Sequence, residues 1–213
     1  MSDYYVDFEN KTDRTWTMVV YQQLPESIGL ESVAWKKTTA PRGGFTGVEW
    51  ELDYIVSLAN YKQDGGIGVY KASQELETAL GKKWTIVDKD GVQQLEETGK
   101  AKDGYIEIVN KSKQLANPGV GMSDSPAVYK RKTLGGSTAQ FQVTPTYYVG
   151  LFNNVELGTV ISSNVIVGPL KIQFPSGMNK GVLTAVLDGE SIKLDLTYKQ
   201  SFVANHEQVL AML

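Results

Sequence analysis

Cysteine is absent from the 213-residue chain, which excludes a disulfide framework, a thiol nucleophile and every cysteine-ligated metal site. Histidine occurs once, as His206, so a multi-histidine metal centre is excluded and a Ser-His-Asp relay is disfavoured. That imidazole reads as a solvent-exposed tail residue, and no cofactor or metal is expected. No run reaches the roughly 18 apolar residues of a membrane-spanning helix, so no membrane span is expected. The opening MSDYYVDFENKTD is acidic and polar where a signal peptide needs a basic start and an apolar stretch. The expected location is therefore the cytoplasm, or an exterior reached without a recognisable N-terminal signal. Neither sign of charge is gathered into a long block: 21 basic and 24 acidic residues leave a net charge of -3. The densest basic cluster, Tyr129-Lys130-Arg131-Lys132, reads as a solvated turn or strand end, and no nucleic-acid partner is expected.

What is present is strand signal. Residues 144–198 alternate apolar and aromatic segments with short breaks at Asn153-Asn154, Gly168-Pro169, Pro175-Ser-Gly177 and Asp188-Gly189. Around Asp188-Gly189 the pattern predicts a hairpin over residues 182–198, with Ile192, Leu194, Leu196 and Tyr198 on one face and Lys193, Asp195 and Thr197 on the other. A second hairpin is predicted over 83–97 about the turn Asp88-Lys-Asp-Gly91, and a third over 4–22 with Asn10-Lys-Thr-Asp-Arg14 as connector. Residues 45–58 read as one strand with Val48, Trp50, Leu52, Tyr54 and Val56 in phase, 60–68 as a glycine-marked loop, and 104–110 as a strand near an edge. Short helices are predicted near 73–81, capped by Ser73 and ended by Gly81, and near 205–213, capped by Asn205. No long-period repeat is evident. The fold class is all-β, an antiparallel two-sheet β-sandwich of eleven or twelve strands forming a single domain over residues 1–213, with a C-terminal tail from about residue 200.

Candidates for chemistry are few. Gly121-Met-Ser-Asp-Ser125 has half of a nucleophile elbow but Ser125 in place of the second glycine, and reads as a loop. Asp88, Asp90, Gly91 and Glu97 match part of a calcium-binding loop whose first position would be Ile86, so the hairpin reading prevails. Gly65-Gly-Ile-Gly68 lacks the strand and helix of a phosphate cradle. Glu49, Glu51 and Asp53 read as the solvated face of a strand, although a carboxylate pair across a cleft is all that glycoside hydrolysis requires. Asn10-Lys-Thr12 and Asn110-Lys-Ser112 match the glycosylation acceptor and mark expected exposed positions. Eleven tyrosines and four tryptophans suit both a sheet core and a sugar-binding or interaction surface, an ambiguity embodied in Tyr147-Tyr148.

The segments Val20-Tyr21-Gln22, LESVAW (30–35), 48–54, Ala72-Ser-Gln74, Val120-Gly-Met-Ser123, TPTYYVG (144–150), 156–160, 172–175 and 183–187 resemble the rhizosphere-expressed, RhiA-like protein family. The resemblance implies no assigned activity and carries no catalytic residue onto this chain. The function expected is that of a non-enzymatic, soluble binding or interaction protein, with a carbohydrate-binding (lectin-like) protein and a hydrolase using a carboxylate pair as the alternatives. A homo-oligomer is expected as well, with a glycan or protein as further partner. The expected oligomer contacts are Phe202, Val209, Leu210, Met212 and Leu213, large apolar side chains close to the end of the chain.

Overall fold

The computed structural model describes residues 4–24, 29–144, 146–162 and 164–200. Its strands are β1 (Tyr4–Lys11), β2 (Trp16–Gln22), β3 (Leu30–Ser32), β4 (Lys36–Ala40), β5 (Phe45–Trp50), β6 (Tyr54–Asp64), β7 (Ile67–Thr78), β8 (Lys82–Lys89) and β9 (Val92–Lys100). They continue as β10 (Tyr105–Asn110), β11 (Pro118–Met122), β12 (Ser125–Lys130), β13 (Thr138–Gln142), β14 (Tyr147–Phe152), β15 (Val167–Ile172), β16 (Lys180–Asp188) and β17 (Ser191–Lys199). No helix is found among the described residues.

The all-β expectation holds, but the two-sheet antiparallel arrangement does not. The strands form four sheets, ordered β17-β16-β1-β5, β15-β14-β2-β4, β9-β8-β10-β13 and β7-β6-β11-β12-β3. Two pairings are parallel, β1 with β16 and β8 with β10. The short helix expected near 73–81 is instead the second half of β7, where Glu75, Leu76 and Glu77 lie opposite Ser57, Val56 and Ile55. A two-turn helix is marginal alone, whereas the long β6–β7 ladder satisfies the same backbone groups. That ladder also absorbs the loop expected at 60–68, leaving Gly65 and Gly66 as its tight turn. The helix near 205–213 lies outside the described residues.

The four sheets are two copies of one topology. Half A comprises β1, β2, β4, β5 and β14–β17; half B comprises β6–β13 without interruption. In each half one sheet has a hairpin, then a parallel neighbour, then an antiparallel edge: β17-β16-β1-β5 in A and β9-β8-β10-β13 in B. The other sheet is all antiparallel: β15-β14-β2-β4 in A and β7-β6-β11-β12 in B. Strand β3 is an addition, contributed by the β2–β4 connection of half A to the edge of the half-B sheet. Consequently β1 and β2 are not the expected hairpin: β1 pairs with β5 and β16, and β2 with β4 and β14. The expected strand at 45–58 breaks after Trp50, where the chain passes from half A to half B, and β10 lies inside its sheet rather than near its edge. The hairpins over 182–198 and 83–97 form, the first turning at Gly189-Glu190, one residue beyond the expected Asp188-Gly189, because Asp188 stays paired with Ser191; β17 keeps one face half-buried and the other exposed.

The two expected exposed asparagines prove to be the pegs of this duplication. Asn10 and Asn110 are fully buried. Asn10 Nδ2 donates to Arg14 O at 2.8 Å and to Ala40 O at 2.9 Å, while its Oδ1 accepts from Thr12 N and Oγ1. Asn110 Nδ2 donates to Gln114 O and Thr133 O, both at 2.8 Å, while its Oδ1 accepts from Ser112 N and Oγ. Each peg's carbonyl accepts from a left-handed glycine, Gly43 (φ 69°) in A and Gly136 (φ 83°) in B. The residue after asparagine must therefore lead to a hydroxyl two places on, for turn geometry rather than for glycosylation.

One continuous buried cluster contains residues of both halves, from Val6, Phe8, Trp35, Trp50 and Tyr147 to Trp84, Ile86, Ile106, Ile108 and Phe141. Two satellite clusters lie on outer sheet faces: Val19, Tyr21, Ala34, Phe152 and Val155, and Val33, Ala59, Tyr70 and Tyr129. In the second, Tyr70 stacks on Tyr129 at 4.3 Å and meets Tyr61 at 5.0 Å. The long β14–β15 connection closes over both, pairing Val160 with Val33 and Thr159 with Val69.

Candidate functional site

The expected solvated strand face bearing Glu49, Glu51 and Asp53 is interrupted by the break after Trp50, and the three carboxylates instead line one cleft of about 260 Å³. Trp50, Ser123 and Asp124 complete its lining. Glu49 and Trp50 end β5, Glu51 and Asp53 belong to the link between the halves, and Ser123-Asp124 is the β11–β12 turn. The cleft thus forms where half A hands the chain to half B.

Its geometry is pinned by the backbone. Ser123 (φ 50°) and Asp124 (φ 59°) occupy the two left-handed positions of a tight hairpin, which small polar residues tolerate better than branched ones. Ser123 N donates to Asp53 O at 2.9 Å, Lys36 Nζ donates to Ser123 O at 2.9 Å, and Trp35 Nε1 bridges Met122 O at 3.1 Å and Ser125 O at 2.9 Å. The motif read as a failed nucleophile elbow is therefore a rigid turn held from three directions. The indole of Trp50 is fully buried at the cleft wall, and its Nε1 faces the Tyr147 phenol without reaching hydrogen-bonding geometry.

The charges respond to this setting. Burial lowers the pKa of the Lys36 ammonium, while Asp124 and Glu49 push it back up. Burial, and secondarily Asp124, raises the Glu75 carboxyl. Glu75 lines a second depression of about 230 Å³, together with Trp35, Tyr70, Ser125 and Tyr129. Asp124 therefore acts electrostatically both on Lys36, which holds the turn, and on Glu75 in the second depression. Lys36, Glu75 and the turn's role escaped sequence reading, because each acquires its setting from strands distant in the chain. Among the described residues no three His, Asp or Glu side chains are grouped to hold a metal ion.

The remaining sequence candidates fall elsewhere. Asp88, Asp90 and Gly91 belong to the β8–β9 hairpin, where Glu97 pairs with Lys82. Gly65-Gly66 turns β6 into β7. Tyr147 is buried and stacks on Trp35, whereas Tyr148 faces the other way and stacks on Tyr21. In the basic cluster Tyr129 is buried, and Arg131 pairs with Glu31 and donates to Tyr61 Oη at 2.8 Å. His206 and the expected oligomer contacts Phe202, Val209, Leu210, Met212 and Leu213 lie outside the described residues.

Comparison with known proteins follows the fold rather than the cleft. No solved structure matches the chain. Protein RhiA of Rhizobium leguminosarum bv. viciae is 23% identical over 185 residues, which span 83% of this chain and 80% of that protein. The RhiA family model matches residues 1–196, a span containing every described strand of both halves except the last three residues of β17. The chain belongs to the RhiA family.

Proposed function

We propose that this protein is a non-enzymatic binding module whose ligand, a polyhydroxylated molecule of the carbohydrate class, enters the cleft at the junction of the halves. The observation that carries this reading is the convergence of Glu49, Glu51, Asp53 and Asp124 on one cleft beside Trp50. Carboxylates accept paired hydrogen bonds from vicinal hydroxyls, and charge-assisted bonds of this kind are stronger than neutral ones. Fixing the Ser123-Asp124 turn by Lys36, Trp35 and Asp53 before the ligand arrives reduces the ordering cost of binding. A cleft of about 260 Å³ suits one sugar ring rather than a chain.

The test is titration of the isotope-labelled protein with methyl glycosides of neutral and amino sugars, followed by amide NMR. Shifts centred on Glu49, Asp53, Ser123 and Asp124, weakened at least tenfold in Asp53→Asn and Asp124→Asn, are the expected result. No shift with any sugar at millimolar concentration ends the proposal.

The hydrolase reading draws support from one observation, the raised carboxyl of Glu75 beside Asp124, since a general acid must hold its proton near neutral pH. Loss of a glycosidase activity in Glu75→Gln with sugar binding retained would favour it over simple binding.

A further inference from the structure

The duplication supplies an internal control for reading the surface, because each connector at the end of one half has a counterpart in the other. In half B three connectors meet: the β8–β9 turn, the β10–β11 link and the β12–β13 link. Gln93 Nε2 donates to Ser112 Oγ at 2.7 Å and to Leu115 O at 3.4 Å, Lys113 N donates to Asp88 Oδ2, and Ala116 pairs with Thr133. On or beside these connectors stand Val92, Leu115 and Leu134, exposed by 59%, 54% and 62%. Leu115 and Leu134 flank the antiparallel bridge between the buried Ala116 and Thr133, so alternation turns both outward together. At the matching places half A carries Ser191, Thr15 and Pro41.

Charge differs in the same sense. The half-B connectors carry Lys89, Lys111, Lys113, Arg131 and Lys132 against Asp88 and Asp90, in a chain whose net charge is -3. Lys89 is paired with Glu96 and Arg131 with Glu31. Lys111, Lys113 and Lys132 are exposed, and among the described residues no acidic side chain lies within ion-pairing distance of them. The half-A connectors balance Lys11, Arg14 and Arg42 with Asp13, Asp188 and Glu190.

We infer that the end of half B is a docking surface for an anionic lipid bilayer, with Val92, Leu115 and Leu134 entering the interfacial region and Lys111, Lys113 and Lys132 meeting the headgroups. Aliphatic side chains on protruding turns, ringed by long flexible cations, suit a soft anionic surface. A protein partner would instead be met by the aromatic and arginine anchors that dominate such contacts, and the one arginine here is already engaged by Glu31 and Tyr61. Half A does expose Phe45 and Leu187, but Phe45 lies opposite Glu9 and Leu187 precedes Asp188, with no excess of cations around them.

The experiment is co-sedimentation of the full chain with vesicles of mixed phosphatidylglycerol and phosphatidylcholine, beside vesicles of phosphatidylcholine alone, at low and physiological salt. The expected result is binding to the anionic vesicles only, weakening with salt, since each lysine near such a surface contributes roughly fivefold. The triple change Val92→Ser, Leu115→Thr, Leu134→Ser and, separately, Lys111→Gln, Lys113→Gln, Lys132→Gln should each reduce the bound fraction at least tenfold with the urea midpoint unchanged. Phe45→Thr should leave it unchanged. Absence of binding by the native chain at low salt, indifference to either triple change, or loss of binding in Phe45→Thr overturns the inference. Self-association that disappears in the apolar triple variant without any vesicle binding assigns the surface to a protein contact and overturns it as well.

Discussion

Half A and half B share strand order and direction but solve the packing problem differently. Half A is aromatic: Phe8, Trp16 and Trp50 occupy places held in half B by Ile108, Ala116 and Val143. Around them Trp50 lies 5.0 Å from Tyr147 and Trp35 5.4 Å from Trp50, with Tyr4 and Phe174 extending the group. Half B's share of the main cluster is chiefly aliphatic, with Trp84 and Phe141 as its buried rings, and its buried tyrosines Tyr70 and Tyr129 lie in the satellite cluster instead. The connections differ too. Where half B turns tightly at Gly65-Gly66 and Ser123-Asp124, half A makes longer connections, which reach half B through Thr159 at Val69 and through β3 at β12. A backbone topology can thus be kept while its filling changes, provided the interior stays close-packed and the buried polar pegs survive. The uninterrupted half is closed by its own short turns. The split half uses its longer connections to bind the two together.

The contrast between the cores can be broken by exchanging residues across the pseudosymmetry. Trp50→Val, which installs the half-B residue, should cost about 3–5 kcal/mol in urea unfolding, whereas Ile108→Val in half B should cost about 1 kcal/mol. Similar costs would mean that the aromatic cluster is no more tightly packed than its aliphatic counterpart. The pegs should behave alike. Asn10→Ala and Asn110→Ala each orphan several buried groups and should each cost about 3 kcal/mol, because an unsatisfied buried donor or acceptor loses about 1–3 kcal/mol. A peg that is lost without consequence would show that its half is held by packing alone.

The cleft between the halves provides a smaller and more local test. The Lys36 ammonium has its pKa lowered first by burial, and Asp124 and Glu49 act against that shift. Removing the charge in Asp124→Asn should therefore lower it further, as read by NMR titration of the lysine Nζ. Because the folded pKa lies below the unfolded value near 10.5, the folded state gives up this proton more readily, and stability should rise with pH between the two values. An unchanged titration in Asp124→Asn would separate the turn from the lysine electrostatically. The smallest expected effect concerns self-association through Phe202, Val209, Leu210, Met212 and Leu213, proposed from their apolar character. Sedimentation of the full chain beside a version ending at Gln200 should show association only in the former, and a monomeric full chain at micromolar concentration removes the proposal.

Several features followed from local chemistry. The hairpins turning at Asp90-Gly91 and beside Gly189 were legible because left-handed turn residues and period-two alternation act within a few residues. The half-buried face of Ile192, Leu194, Leu196 and Tyr198 was legible for the same reason. The absence of cysteine, the single histidine and the lack of a long apolar run likewise excluded whole classes of site by composition alone. Other features were set only in three dimensions. The Asn-Lys-Thr and Asn-Lys-Ser triplets look like exposed acceptors until each asparagine is seen to bond carbonyls some twenty to thirty residues away. The duplication was hidden because one copy is split around the other, so that no tandem period exists, and because its equivalent core positions hold residues as unlike as Trp16 and Ala116. Periodicity assigned a strand to the chain around Trp50 but had no means of placing its break, which depends on where half A ends and Ser123 waits to receive the link. Composition and alternation determine which residues seek burial; which strands meet, and hence where four carboxylates or three aliphatic turns converge, depends on long-range backbone pairing that no local pattern encodes.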